Sequence, residues 1–144
     1  MFMGEYHHNL DDKSRIVVPA AFRNELGCKF IVARGLEKCL SIYSSQGWEK
    51  IVSKLQELSF TKKDTRTFIR SLFSTATICE LDRQGRILLP SNLLEYASIA
   101  KECIFLGAND HVEIWDKTLW ENDKNENEDK LSDIAENLFT GINL

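Results

Sequence analysis

Apolar and polar residues alternate along this chain in short bursts, and the bursts come in two matching sets. The first set predicts a strand over residues 2–9, a polar loop, and a brief apolar strand over 15–18. The second set predicts the same over 74–81 and 86–89. Pro19 and Pro90 follow these brief strands and suit the first turn of a short helix, where a missing N–H costs nothing. Strand pairs are then expected over 28–34 with 39–43 and over 103–107 with 111–115, turned by Gly35 and by Gly107-Ala108-Asn109-Asp110. After the first pair, Trp48, Ile51, Val52, Leu55 and Leu58 recur at helical spacing. Residues 59–63 read as a linker, and Asp64 as the cap of a second helix with an apolar face of Phe68, Ile69, Leu72 and Phe73. A weaker helix in the tail is expected to fray.

The two sets are copies. Leu10-Asp11-Asp12-Lys13-Ser14-Arg15-Ile16-Val17-Val18-Pro19 aligns with Leu81-Asp82-Arg83-Gln84-Gly85-Arg86-Ile87-Leu88-Leu89-Pro90, 71 residues later and identical at five of ten positions. Chance would give about 6% identity per position on average composition. The match continues 72 residues apart, with Gly35 on Gly107, Ile42 on Ile114, Tyr43 on Trp115 and Trp48 on Trp120. Two copies are too few for a solenoid. They predict an internal pseudo-dimer of α+β class with a mainly β core and flanking helices. Its parts would be a first repeat with its helix (1–58), a linking helix (59–73), a second repeat (74–120) and an acidic C-terminal tail (121–144).

At 144 residues the chain is long enough to bury a core without covalent staples. Taken alone, the net charge of -4 argues against a polyanionic partner, but the excess acid is local. Residues 121–144 hold seven acids and two lysines; removing them from the chain's 22 acids and 18 bases leaves 15 and 16. Charge therefore neither favours nor excludes nucleic acid. The first twelve residues do not read as a signal peptide, and no apolar run approaches a membrane helix, so a cytosolic location is expected. Cys28, Cys39, Cys79 and Cys103 form no C-x-x-C pair. Each lies in an apolar, strand-like stretch and is expected to be a small buried hydrophobe, with no metal site or cofactor. Nothing resembles a nucleophile elbow, a phosphate-binding glycine loop or a metal-ligand spacing, so no enzyme is expected.

The most distinctive residues are the paired Asp-x-x-x-Arg loops, Asp11 to Arg15 and Asp82 to Arg86. With the Met1-Phe2-Met3-Gly4 opening, the Arg15-Ile16-Val17-Val18-Pro19 run, the 64–70 helix carrying Arg66 and Arg70, and the aromatic-ended hairpins, residues 1–120 resemble the MraZ family. These are bacterial transcriptional regulators built from two AbrB-like repeats. The resemblance implies a swapped-hairpin, double-split-barrel fold. It also implies a closed ring of subunits with the loops on one rim, and binding to short direct repeats of double-stranded DNA upstream of the division and cell-wall gene cluster. A nucleoid-associated regulator follows; the operator sequence, the sign of regulation and the subunit number do not. Ser14 departs from the family's usual glycine, present at Gly85, and would carry some strain if the position needs a positive φ.

Within that frame Arg15 and Arg86 each end a polar loop just before a strand that would hold them. Such an arginine can bridge O6 and N7 of guanine or clamp a phosphate, and the sequence does not distinguish the two. Lys13 and Arg83 are expected to contact phosphates. Asp11 and Asp82, repelled by phosphate, are expected to cap the turns and orient the arginine four residues on. An isolated Asp-x-x-x-Arg reads more simply as a structural clasp. The competing whole-protein reading is a ring-forming interaction protein without DNA readout. Arg66 and Arg70 read as a solvated helix face, and Trp48, Trp115 and Trp120 as packing residues rather than base-stacking platforms. His7 and His8 point to opposite faces of a strand and cannot grip one metal together; Gly4 and His7 lie near the expected rim without a role.

Overall fold

The computed structural model describes residues 1–142. Eight strands and six helices follow the duplicated pattern. The first copy runs β1 (Glu5–Asn9), β2 (Arg15–Val17), α1 (Ala20–Leu26), β3 (Lys29–Arg34), β4 (Leu40–Ser44) and α2 (Ser45–Gln56). A connecting helix, α3 (Lys63–Thr75), leads to the second copy: β5 (Thr77–Glu80), β6 (Arg86–Leu88), α4 (Ser91–Tyr96), β7 (Glu102–Gly107) and β8 (Val112–Asp116). The chain ends in α5 (Lys117–Asn127), a 3-10 turn (Glu128–Lys130) and α6 (Leu131–Leu138). The α+β class and mainly sheet core are as expected.

The strands pair across the copies. The main sheet has the order β1-β7-β8-β4-β3-β5, all antiparallel, and β2 pairs with β6 in a separate two-stranded ladder. Exchanging each strand for its copy reverses the sheet order onto itself, so a pseudo-two-fold axis passes between β4 and β8. The Ser41–Glu113 pair lies at the middle of the β4–β8 register, and Ile16–Ile87 at the middle of the β2–β6 ladder. The first strand of each copy has left its own hairpin for the other's: β1 lies on β7 and β5 on β3. This exchange lets one apolar core serve both copies.

Alternation explains which side is wet. In β2 and β6 the middle residues Ile16 and Ile87 are buried, while Arg15, Val17, Arg86 and Leu88 keep solvent exposure. Burying each isoleucine contributes about 1.5–3 kcal/mol. They join Phe22, Phe30, Phe105, Leu40 and Ile114 in the shared core. Pro19 and Pro90 stand as the residues before α1 and α4.

Several expectations are corrected. β1 begins at Glu5; ahead of it Phe2 is held by an isolated bridge to Asn109, with N–O distances of 2.8 and 3.0 Å. β5 begins at Thr77 because α3 continues to Thr75. Asp64 does not cap α3: the cap is Lys62, with no side-chain bond, and Asp64 sits in the first turn, where its charge favours the helix dipole. Phe68 and Phe73 on the expected apolar face of α3 remain exposed. Cys28 is exposed because it precedes β3 rather than lying within it, whereas Cys39, Cys79 and Cys103 are buried. The tail is helical through Leu138.

Candidate nucleic-acid interface

Both Asp-x-x-x-Arg loops adopt one geometry. Asp11 Oδ1 accepts the backbone N–H groups of Lys13 and Arg15, each at 2.9 Å, and its Oδ2 accepts Arg15 Nε at 2.8 Å. Asp82 Oδ1 accepts those of Gln84 and Arg86 at 2.8 and 2.9 Å, and its Oδ2 accepts Arg86 Nε at 2.8 Å. The Asp11 N–H donates to the Arg15 carbonyl at 2.8 Å, and that of Asp82 to the Arg86 carbonyl at 2.9 Å. Each aspartate therefore organises the turn backbone and the arginine side chain together. The backbone N–H of Arg15, above all, holds the Asp11 carboxyl below its usual range; that of Arg86 does the same for Asp82. Both carboxylates stay ionised and keep their grip at neutral pH.

The turn needs a left-handed residue at its fourth position. Ser14 has φ 59° and Gly85 φ 75°, with 14 N–H to Asp11 O at 3.1 Å and 85 N–H to Asp82 O at 3.0 Å. Glycine visits this region freely, while another residue is strained there. The first loop thus pays a conformational cost that the second avoids.

The β2–β6 ladder fixes the two arginines relative to each other. Arg15 pairs with Leu88 and Val17 with Arg86, so all four side chains share the face opposite Ile16 and Ile87. Arg15 and Arg86 are diagonal neighbours on that face, a relation that places Cα atoms about 7–8 Å apart. The copies also touch through charge, with Arg86 Nη1 3.8 Å from Asp11 Oδ2. Because Asp occupies Nε, each guanidinium presents its Nη edge. Lys13 and Arg83 project from the exposed tips of the loops.

Against this geometry, comparison with known proteins is decisive. The chain matches the family described as "MraZ protein, putative antitoxin-like" twice, over residues 1–71 and 72–141. It belongs to the MraZ family. A relative named transcriptional regulator MraZ from Moorella thermoacetica is 52% identical over 138 residues, covering 96% of each chain. Another of that name from Desulforamulus reducens is 49% identical over 138 residues, covering 96% of this chain and 97% of its own.

One basic residue of this family member escaped the sequence reading. Arg23 of α1 donates from Nε to the Val18 carbonyl at 2.8 Å, and its guanidinium lies over Gly85, where an added Cβ would fall 2.4 Å from Cζ. The second copy has Leu94 at the corresponding place, 71 residues on, so Arg23 breaks the pseudo-symmetry of the two loops. That mismatch was the available signal. Arg23 also helps, after desolvation, to lower the pKa of His8.

Arg66 Nη1 donates to the Phe60 carbonyl at 2.8 Å, and Arg70 is an exposed residue of α3. Trp115 is buried and packs on Trp120, while Trp48 packs on Tyr43 and Phe73. His7 is exposed, and half-buried His8 meets Phe105 edge-on. Burial pushes the Cys39 and Cys103 thiols up to about 12 and that of Cys79 up to about 11, which leaves them protonated and poorly nucleophilic. No cluster of metal-ligating side chains occurs among the described residues, and none of their helices is long and apolar enough to cross a membrane.

Proposed function

We propose that this chain is a sequence-specific DNA-binding transcriptional regulator that reads double-stranded DNA through the β2–β6 ribbon and its two loops. The observation that carries this reading is the common outer face of Arg15 and Arg86, each oriented by its own aspartate. A major groove accepts a two-stranded ribbon, and an arginine presenting two donors matches O6 and N7 of guanine. A separation of about 7–8 Å corresponds to roughly two base steps of 3.4 Å. Leu88, 62% exposed on the same face, suits a thymine methyl. Lys13 and Arg83 would hold flanking phosphates, and Asp11 and Asp82 act only by orienting the arginines. The relatives' name, transcriptional regulator, agrees with this role.

The protein works as a ring-shaped homo-oligomer on short direct repeats upstream of the division and cell-wall gene cluster, in the cytoplasm at the nucleoid. Two bidentate contacts of about 1–3 kcal/mol each reach at best the lower half of the roughly 4–10 kcal/mol that separates specific from non-specific binding. Several subunits on successive repeats make up the difference through effective concentration. Residues 1–58 and 74–120 serve as the two reading lobes, 59–73 as their link and 121–144 as an acidic tail. The test is a gel-shift titration on DNA immediately upstream of the chain's own gene. Wild type should bind, and Arg15→Ala/Arg86→Ala should not, with both eluting at one oligomer size. Equal binding by both would return the Asp–Arg pairs to a structural role; binding by neither would favour a ring-forming interaction protein.

A further inference from the structure

Two apolar surfaces are left open by the fold, and they complement each other. The first is a cleft of about 720 Å³ between helices α2 and α3 and the β3–β4 hairpin. Trp48, Ile51 and Leu55 of α2 and Phe68 and Leu72 of α3 form its apolar walls, and Lys54 of α2, Glu37 of the hairpin turn and Glu113 of β8 also line it. Neither helix buries an apolar residue fully. The second surface is the face of α6 made by Leu131, Ile134, Ala135 and Leu138, of which Leu131, Ile134 and Leu138 are 58%, 40% and 70% exposed. Among the described residues α6 makes no substantial packing with any element beyond the turn it continues.

The spacing of the α6 residues is that of helix-in-groove anchors, at i, i+3, i+4 and i+7. The arm that carries them is helical throughout. From Lys117 to Leu138 the backbone passes from α5 through a 3-10 turn into α6, with αR angles at Glu128 (φ -56°, ψ -43°) and Leu131 (φ -60°, ψ -39°). α5 packs on β7 and β8, and beyond it the 3-10 turn and α6 carry the chain roughly 17 Å further at about 1.5 Å per residue, which suits reaching a neighbour. Charge adds an orientation. The polar side of α6 carries Asp133 and Glu136, so it is favoured toward Lys54 and disfavoured toward Glu37 and Glu113.

We infer that α6 of one copy lies in the α2–α3 cleft of a second copy. Every chain offers one arm and one cleft, so the contact is head-to-tail and closes into a ring when the rotation between copies closes. This inference rests on the proposed ring and names the surfaces that build it.

The test uses full-length chains and mass by light scattering. Wild type should be a many-subunit particle. Ile134→Asp/Leu138→Asp, on an exposed helix, should fall several-fold in mass with unchanged circular dichroism, as should the cleft variant Leu55→Asp. Mixing the two variants should restore a dimer, because one arm and one cleft then remain intact, and only a head-to-tail contact complements in this way. An α6 variant that keeps the wild-type mass, or a mixture that stays at the mass of its parts, would overturn the inference while leaving the ring standing. A wild type monomeric at every concentration would overturn the ring reading and this contact with it.

Discussion

Replacing Arg15 and Arg86 by lysine separates base reading from phosphate clamping, which the sequence leaves open. Lysine keeps the positive charge but replaces a planar fork with a point charge. Asp11 and Asp82 hold the two Nε atoms at 2.8 Å, so the Nη edge is the part left to pair with a second group. If that edge bridges guanine O6 and N7, each substitution forfeits about 1–3 kcal/mol of discrimination, or roughly 5- to 150-fold at 1.4 kcal/mol per tenfold. The loss would be confined to the specific site. Binding to scrambled duplex should barely change, and so should the salt slope, since each lost phosphate contact would lower it by about 0.9 and no charge is removed. Fluorescence anisotropy with operator and scrambled duplexes at four salt concentrations measures both quantities. Lysine variants that bind operator as tightly as wild type, while alanine variants lose affinity and slope together, would refute base reading and assign both arginines to phosphates.

Further outcomes follow from the same geometry. Ser14→Gly removes a left-handed strain of about 1–2 kcal/mol, partly offset by the freedom glycine gains when unfolded, so the melting temperature should rise by about 2–5 °C. Gly85→Ala should lower it, because its Cβ meets the Arg23 guanidinium at φ 75°; equal melting temperatures for all three proteins would contradict both statements. Binding should depend steeply on the number of direct repeats, and one repeat titrating as tightly as three would remove the case for multivalency. Near the cleft, His111 lies between Asp110 (Nδ1 to Oδ1, 2.8 Å) and Glu113 (Nε2 to Oε2, 3.0 Å), stacked on Tyr43. Bonding to Glu113, and then to Asp110, raises the His111 pKa, while bonding to His111 lowers both acids. The histidine's contribution is therefore full below about pH 6.5 and lost as pH rises through its higher folded pKa. The acids' contribution is present above their unfolded values and lost as pH falls through their lower folded ones. Thermal melts from pH 4 to 8 should show His111→Gln losing this mildly acidic stabilisation, and parallel curves for wild type and variant would exclude it.

What the sequence disclosed was local and periodic. The Arg-Ile alternation at 15–16 and 86–87 told which side chains face water, and the glycine at 85 opposite Ser14 told of a left-handed turn. The partners of β1 and β5 depend on contacts about a hundred or fifty residues away, which no local pattern encodes; only the family resemblance suggested the exchange. Arg23 was missed because its effect on Gly85 acts through space across that exchange. Asp64 failed as a cap because α3 starts two residues earlier than the polar–apolar boundary suggests, and Cys28 was misplaced by one residue at the edge of β3.

The claim that DNA is read through the paired loops is tested most directly by hydrogen–deuterium exchange with and without operator duplex. Exchange should slow over residues 10–18 and 81–89 and remain unchanged over α2 and α3. Protection centred on Arg66 and Arg70, with the two loops exchanging as freely as in the absence of DNA, would contradict it.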